Sequence, residues 1–146
     1  MIKNFLERCR FEQLPFDLLT KGNNGGKPMK YVLLIYLEEN ALSETEREEC
    51  YLKSAQLAQQ LNSKGQYLAT APLHPVATAT SVRVRDGKPL VTDGPFAETR
   101  EQLGGFFLID AQDLDAAMVI AAEIPAAQVG TVEIRPVIEI AGLPEH

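Results

Sequence analysis

An α+β domain built on an antiparallel sheet is what this sequence predicts, and three observations carry the prediction. Short apolar runs with strand character recur at Lys30–Tyr36, Tyr67–Ala71, Gly105–Ile109 and Thr131–Ile140. Two intervening segments, Glu44–Ser63 and the stretch after Asp113, carry apolar residues at helical spacing. Between the second and third runs lies a hairpin signal, Asp86-Gly87, flanked by alternating side chains.

Each element has a local reason. Tyr31, Val32, Leu33, Leu34, Ile35 and Tyr36 follow Lys30 without a polar break, so both faces of the first strand read as covered and the strand as central. Ser43 with Glu46 forms a capping box that starts a helix at about Glu44. Its predicted inner stripe is Cys50, Tyr51, Ser54, Ala55, Ala58 and Leu61, and Gly65 ends it. A second strand spans Tyr67–Ala71. The third runs from Thr78 to Arg85, with Val82 and Val84 on one face and Arg83 and Arg85 on the other. Leu90–Thr92 returns from the Asp86-Gly87 turn and leads into the loop Asp93-Gly94-Pro95-Phe96. After the strand Gly105–Ile109, Asp113 caps a second helix whose stripe is Leu114, Ala117, Met118 and Ala121, and Pro125 stops it. Thr131–Ile140 closes the series as a strand whose phase breaks near Pro136, which suits an edge or a bend more than a central position. Strand, helix, strand, inserted hairpin, strand, helix, strand is a split βαβ, ferredoxin-like plan with both helices on one face of the sheet. The opposite face is left bare and apolar, which predicts a second copy of the chain as its cover, a homodimer.

Charge and composition narrow the function. From residue 29 onward nine Lys/Arg stand against seventeen Asp/Glu, a surplus that repels phosphate backbones and argues against nucleic acid as a partner. No apolar run reaches the ~20 residues that span a bilayer, and no signal-like segment opens the chain, so no membrane partner and a cytoplasmic location are expected. Cys9 and Cys50 lack metal-type spacing and read as two free thiols; no metal and no cofactor are expected. Residues 1–28 form a mildly basic N-terminal extension, and Gly22–Pro28 at its end reads as a flexible joint. In that segment Ile2, Phe5, Leu6 and Cys9 fall at helical spacing. Two readings of it stand: a mis-annotated stretch upstream of a start at Met29, or an arm that docks on a partner subunit.

Five positions attract attention as a ligand pocket. Asp93, ahead of Gly94-Pro95, has its direction fixed by the backbone; it reads either as an acid, base or anchor for a polar ligand, or as the acceptor of an Asx turn. Glu98 can pair with Asp93 as coupled carboxylates, or sit on a solvated loop. His74, within Pro72-Leu73-His74-Pro75, is the one histidine between residues 29 and 145; it reads as a proton shuttle or as an exposed loop imidazole. Arg83 can hold a carboxylate or phosphate, or pair with Glu98 or Glu101. Gly104-Gly105 suggests a bulge or a close backbone approach, and Phe96, Phe106 and Phe107 read as core.

The run DGPFAETREQLGGFFLI at residues 93–109 resembles the diagnostic motif of the DGPF proteins within the YCII-related family. The preceding ATATSVRVRDGKPLVT, residues 77–92, and MKYVLLIY from Met29 fit the same pattern, so the likeness covers residues 29–138. The resemblance implies a ferredoxin-like subunit, a dimeric α+β barrel and a cleft at the edge between sheet and helix. It also implies a fifth pocket position. Many relatives carry a histidine in the first helix facing that cleft, paired with an aspartate near the helix end. Ser54 and about Ser63 stand at those positions here, so that acid–base pair is absent, and a serine hydroxyl does not act as a general base near neutrality. Three functions are therefore expected, in this order: a dimer that binds a small organic ligand or regulates without catalysis; an enzyme transferring protons on a small organic substrate, aromatic ones included, with Asp93 or Glu98 and His74; and a structural or protein-interaction subunit.

Overall fold

The computed structural model describes residues 26–144. The readings made for the N-terminal segment up to residue 25, Cys9 included, lie outside the described residues. Six strands and two helices follow in the order β1 (Met29–Leu37), α1 (Glu44–Ser63), β2 (Tyr67–Pro72), β3 (Thr80–Arg85), β4 (Lys88–Asp93), β5 (Gln102–Ala111), α2 (Leu114–Glu123) and β6 (Thr131–Pro136). Short 3-10 turns precede β3 (Val76–Thr78) and β6 (Pro125–Gln128).

The main sheet is four-stranded in the order β2-β5-β1-β6. Each of its neighbouring pairs is antiparallel. This is the strand order of the ferredoxin-like plan, with β1 central as its unbroken apolar run demands. Tyr31 pairs with Ile109 and Leu33 with Phe107, which puts all four side chains on one face. On that face they meet Leu57 and Leu61 of α1 and Ala117, Ile120 and Ala121 of α2 in one buried core. Leu33, Ile109 and Phe107 are at most 1% exposed. Burial of side chains of this size contributes about 1.5–3 kcal/mol each.

Helix α1 has the expected bounds, and both bonds of its capping box form: Glu46 N–H donates to Ser43 Oγ at 3.3 Å, and Ser43 N–H to Glu46 Oε2 at 2.9 Å. At its other end Gln66 N–H reaches Leu61 O at 2.9 Å and Gly65 N–H reaches Asn62 O at 3.0 Å, the paired bonds of a Schellman turn. The inner stripe differs from the expected one. Cys50, Leu57 and Leu61 are buried, whereas Tyr51 and Ala55 are exposed. The apolar face of α1 is wide enough to serve two neighbours, and the side holding Tyr51 and Ala55 overlooks an opening rather than the core. In α2 the Asp113 carboxylate accepts Ala116 N–H at 2.8 Å as predicted. There Ile120 takes the inner position, while Leu114 and Met118 turn outward.

β3 and β4 form their own two-stranded sheet, joined by Asp86 and Gly87 with φ of 49° and 71°, the left-handed pair of a type I′ turn. β3 begins at Thr80, two residues later than expected, because Val76–Thr78 coils into a turn held by Thr78 N–H to Pro75 O at 2.9 Å. Both faces of this hairpin meet solvent: Val82, Val84 and Val91 on one are each at least 60% exposed, and Leu90 on the other is exposed as well. Phe96, expected in the core, is 75% exposed because its loop leaves the domain with the hairpin. Phe107 is core, and Phe106 lies half-buried on the opposite sheet face. β6 ends at Pro136 rather than Ile140: Val137 N–H still reaches Lys30 O at 2.9 Å, but β1 begins at Met29 and offers no further partner.

Candidate functional site

At one end of the sheet the chain leaves a cleft. Its floor comes from the ends of β1 and β5, with Ile35, Leu37, Leu103 and Phe107. One wall is α1 and the other is the end of β2 with the segment Leu73–Pro75. The cavity measures about 230 Å³, below the ~300–1,000 Å³ of sites for drug-sized ligands. Apolar side chains make most of its surface, and a few polar ones, Glu39, Arg47, Tyr51, Ser54 and His74 among them, are spaced along it.

Two local irregularities open this space. β1 and β5 lose register between Ile35 and Tyr36, where Ile35 faces Gly105 and Tyr36 faces Leu103, leaving Gly104 as the extra residue of a bulge. Gly105 lies directly under β2: a Cβ there would sit 2.9 Å from Ala71 O and 3.3 Å from Pro72 Cα. The Gly104-Gly105 pair therefore provides both the bulge and the close approach that its sequence suggests. Leu73 N–H then donates to Gly104 O at 2.9 Å, which carries the β2 exit across the cleft end and places His74 on its rim.

The rim is tied by polar bonds. Arg47 Nη2 donates to the main-chain oxygen of Glu39 at 2.7 Å, and the Glu39 carboxylate accepts Val76 N–H at 2.7 Å. Arg100 Nε meets Glu38 Oε1 at 2.6 Å, fixing the segment after the hairpin to the end of β1. That pair is exposed and contributes under about 1 kcal/mol.

Of the five positions singled out in the sequence, Ser54 and His74 line this cleft together; Asp93, Glu98 and Arg83 do not. Asp93 is the exposed last residue of β4. The turn after it is closed by other groups: Gly94 N–H donates to Ala79 O at 2.8 Å, and Ser81 Oγ donates to Gly94 O at 2.8 Å. The Arg83 guanidinium lies over the Phe96 ring at 4.9 Å, a cation–π contact, and makes no ion pair with Glu98 or Glu101 among the described residues. Glu101 instead accepts Thr131 Oγ1 at 2.9 Å. Ser63 is exposed and donates its hydroxyl to Gln60 O at 2.8 Å, away from Ser54 and the cleft. Arg47, Glu39 and Tyr51 are the cleft residues that sequence reasoning passed over as site candidates. The available signal was the helical spacing of Arg47, Tyr51 and Ser54. Among the described residues no group of three or more His, Cys, Asp or Glu is placed to hold a metal ion, and no helix is long and apolar enough to cross a membrane.

A four-stranded antiparallel sheet in this order, two helices on one face and a cleft at the sheet end define a small ferredoxin-like α+β domain. Within that class the chain belongs to the YCII-related family, whose domain model matches residues 29–141. It is also 36% identical over 113 residues to a protein of Rhizobium meliloti (strain 1021) that is described as uncharacterized; the match covers 74% of this chain and 91% of that protein.

Proposed function

We propose that this chain is a small-molecule binding protein that works as a homodimer. The observation that carries the reading is the cleft itself: a concave, mainly apolar space with a few polar groups along it. The bulge at Gly104 and the contact of Gly105 with β2 form it from the main chain, so it does not depend on mobile side chains. The homodimer is supported by the sheet face opposite the helices, where Val32, Leu34, Phe106 and Leu108 lie side by side without a covering layer in the single chain.

A thermal-shift screen of the full chain with small organic acids, amides, alcohols and phenols tests binding. A ligand at 100 times its dissociation constant adds about 2.7 kcal/mol of stability. The expected result is a shift that disappears in Ala55→Trp, which fills the cleft from an exposed position of α1. No shift with any class of compound removes the reading.

A second reading, proton transfer on a small substrate, is favoured by one observation: His74 and the carboxylate-bearing Glu39 line the same cleft. Turnover of a bound compound that His74→Gln abolishes while binding persists would select it.

A further inference from the structure

The polar groups of the cleft are not evenly matched in charge. Among the described residues Arg47 is the only Lys or Arg in its lining. It is half-buried, and its observed side-chain bond runs to a neutral main-chain oxygen, that of Glu39. No carboxylate lies within ion-pair distance of it among the described residues, whereas Arg100 is paired with Glu38 and Arg135 with Glu133. Glu39 also lines the cleft, but one of its carboxylate oxygens is taken by Val76 N–H. A guanidinium has five donors in a planar fork that matches a carboxylate, so a half-buried one with a single neutral acceptor has unused capacity beside an apolar space.

Position sets the rest of the ligand. Arg47, Tyr51 and Ser54 follow one another along the cleft side of α1. Arg47 and Ser54 are seven residues apart, which at the helical rise is about 10 Å. Apart from Tyr51, the lining near them is mostly apolar, with Leu37, Ala55, Leu103 and Phe107 among it. The site is therefore one cationic end followed by a short, greasy slot.

Resting on the reading of the cleft as a ligand site, we propose that the ligand is a small organic monocarboxylate, with its carboxylate on Arg47 and an apolar body lying toward Ser54. A second carboxylate has no cation to meet in the slot, and a phosphate monoester would bring its doubled charge beside Glu39.

Matched probes test this by calorimetry on the full chain: hexanoate, benzoate and cyclohexanecarboxylate, each against its own primary amide. The acids are expected to bind at least about tenfold more tightly than the amides, the scale of a charge-assisted hydrogen bond. Arg47→Gln is expected to erase that preference by weakening the acids far more than the amides, and Arg47→Lys to keep part of it. Melting temperatures of both variants confirm that they are folded. Amides that bind as well as acids, blocked by Ala55→Trp, would overturn the carboxylate proposal and leave the ligand site standing. An acid preference that survives Arg47→Gln would also overturn it. Failure of every acid and amide to bind up to about 10 mM, where even contacts of a few kcal/mol register, would overturn the proposal together with the reading beneath it.

Discussion

The carboxylate of Glu39 accepts the main-chain amide of Val76 at 2.7 Å, and this one bond joins the loop after β1 to the loop after β2 across the cleft rim. Glu39→Ala is expected to lower stability by about 1 kcal/mol, the net worth of a hydrogen bond to a charged group near solvent. Exchange of the Val76 amide is expected to accelerate more than that of amides in β1. Unchanged protection at Val76 would show that the rim holds without the bond.

The tightest approach among the described glycines lies at the end of β1, beside Leu37 of the cleft floor. A Cβ on Gly130 would sit 2.1 Å from Tyr36 O and 2.8 Å from Leu37 Cβ, so the end of β1 would have to move. Overpacking of this kind costs about 1–3 kcal/mol, and the clash is with main chain, so Gly130→Ala is expected at the upper end. For a domain of this size that lowers the melting temperature by roughly 10 °C. A loss of a degree or two would mean that the segment Pro125–Gln128 and the residues after it yield easily.

The DGPF loop gives an ordering. Its turn is closed by Ser81 Oγ on Gly94 O and by Gly94 N–H on Ala79 O, with no bond from the Asp93 side chain among the described residues. Ser81→Ala is expected to cost about 1 kcal/mol locally, and Asp93→Ala to stay within about 0.5. Hydrogen exchange at Gly94 reads the difference. A larger effect from Asp93→Ala would point to a role for its carboxylate as the Asx-type acceptor.

The bare sheet face makes a fourth prediction. Leu34 lies opposite Phe106 and Glu133 on the face away from the helices, outside the core of the single chain. Leu34→Lys is expected to leave the fold intact and turn a dimer into a monomer in sedimentation. A wild-type chain that sediments as a monomer at micromolar concentration would end the homodimer proposal.

The parts of the fold legible in the sequence are those decided within a few residues. The capping box at Ser43 and Glu46, the Asp113 cap and the Asp86-Gly87 turn are local, and each forms as read. The order of elements fixed the sheet plan, because a split βαβ has few ways to close. The cleft is different. It is assembled from Arg47 on α1, His74 beyond β2 and Gly104 on β5, which only the tertiary arrangement brings together. Helical periodicity marks a side chain as inward but cannot separate core from cleft, and so Tyr51 was placed with Cys50 and Leu61. Phe96 shows the converse: its type suggests burial, yet its loop follows an exposed hairpin and its ring meets a guanidinium instead.

The pairing of β1 also sets the timing of folding. Its two neighbours are β5 and β6, so Tyr31 finds its partners at Ile109 and Pro136. As the chain leaves the ribosome, α1 and the β3–β4 hairpin can form from neighbouring residues, but β1 must wait with its apolar run unpaired until Gln102–Ala111 has emerged, and with its second edge open until Thr131–Pro136 follows. Synthesis at roughly 5–20 residues per second makes that wait several seconds, a window in which a strand of this character is exposed to chaperones and to other nascent copies of itself.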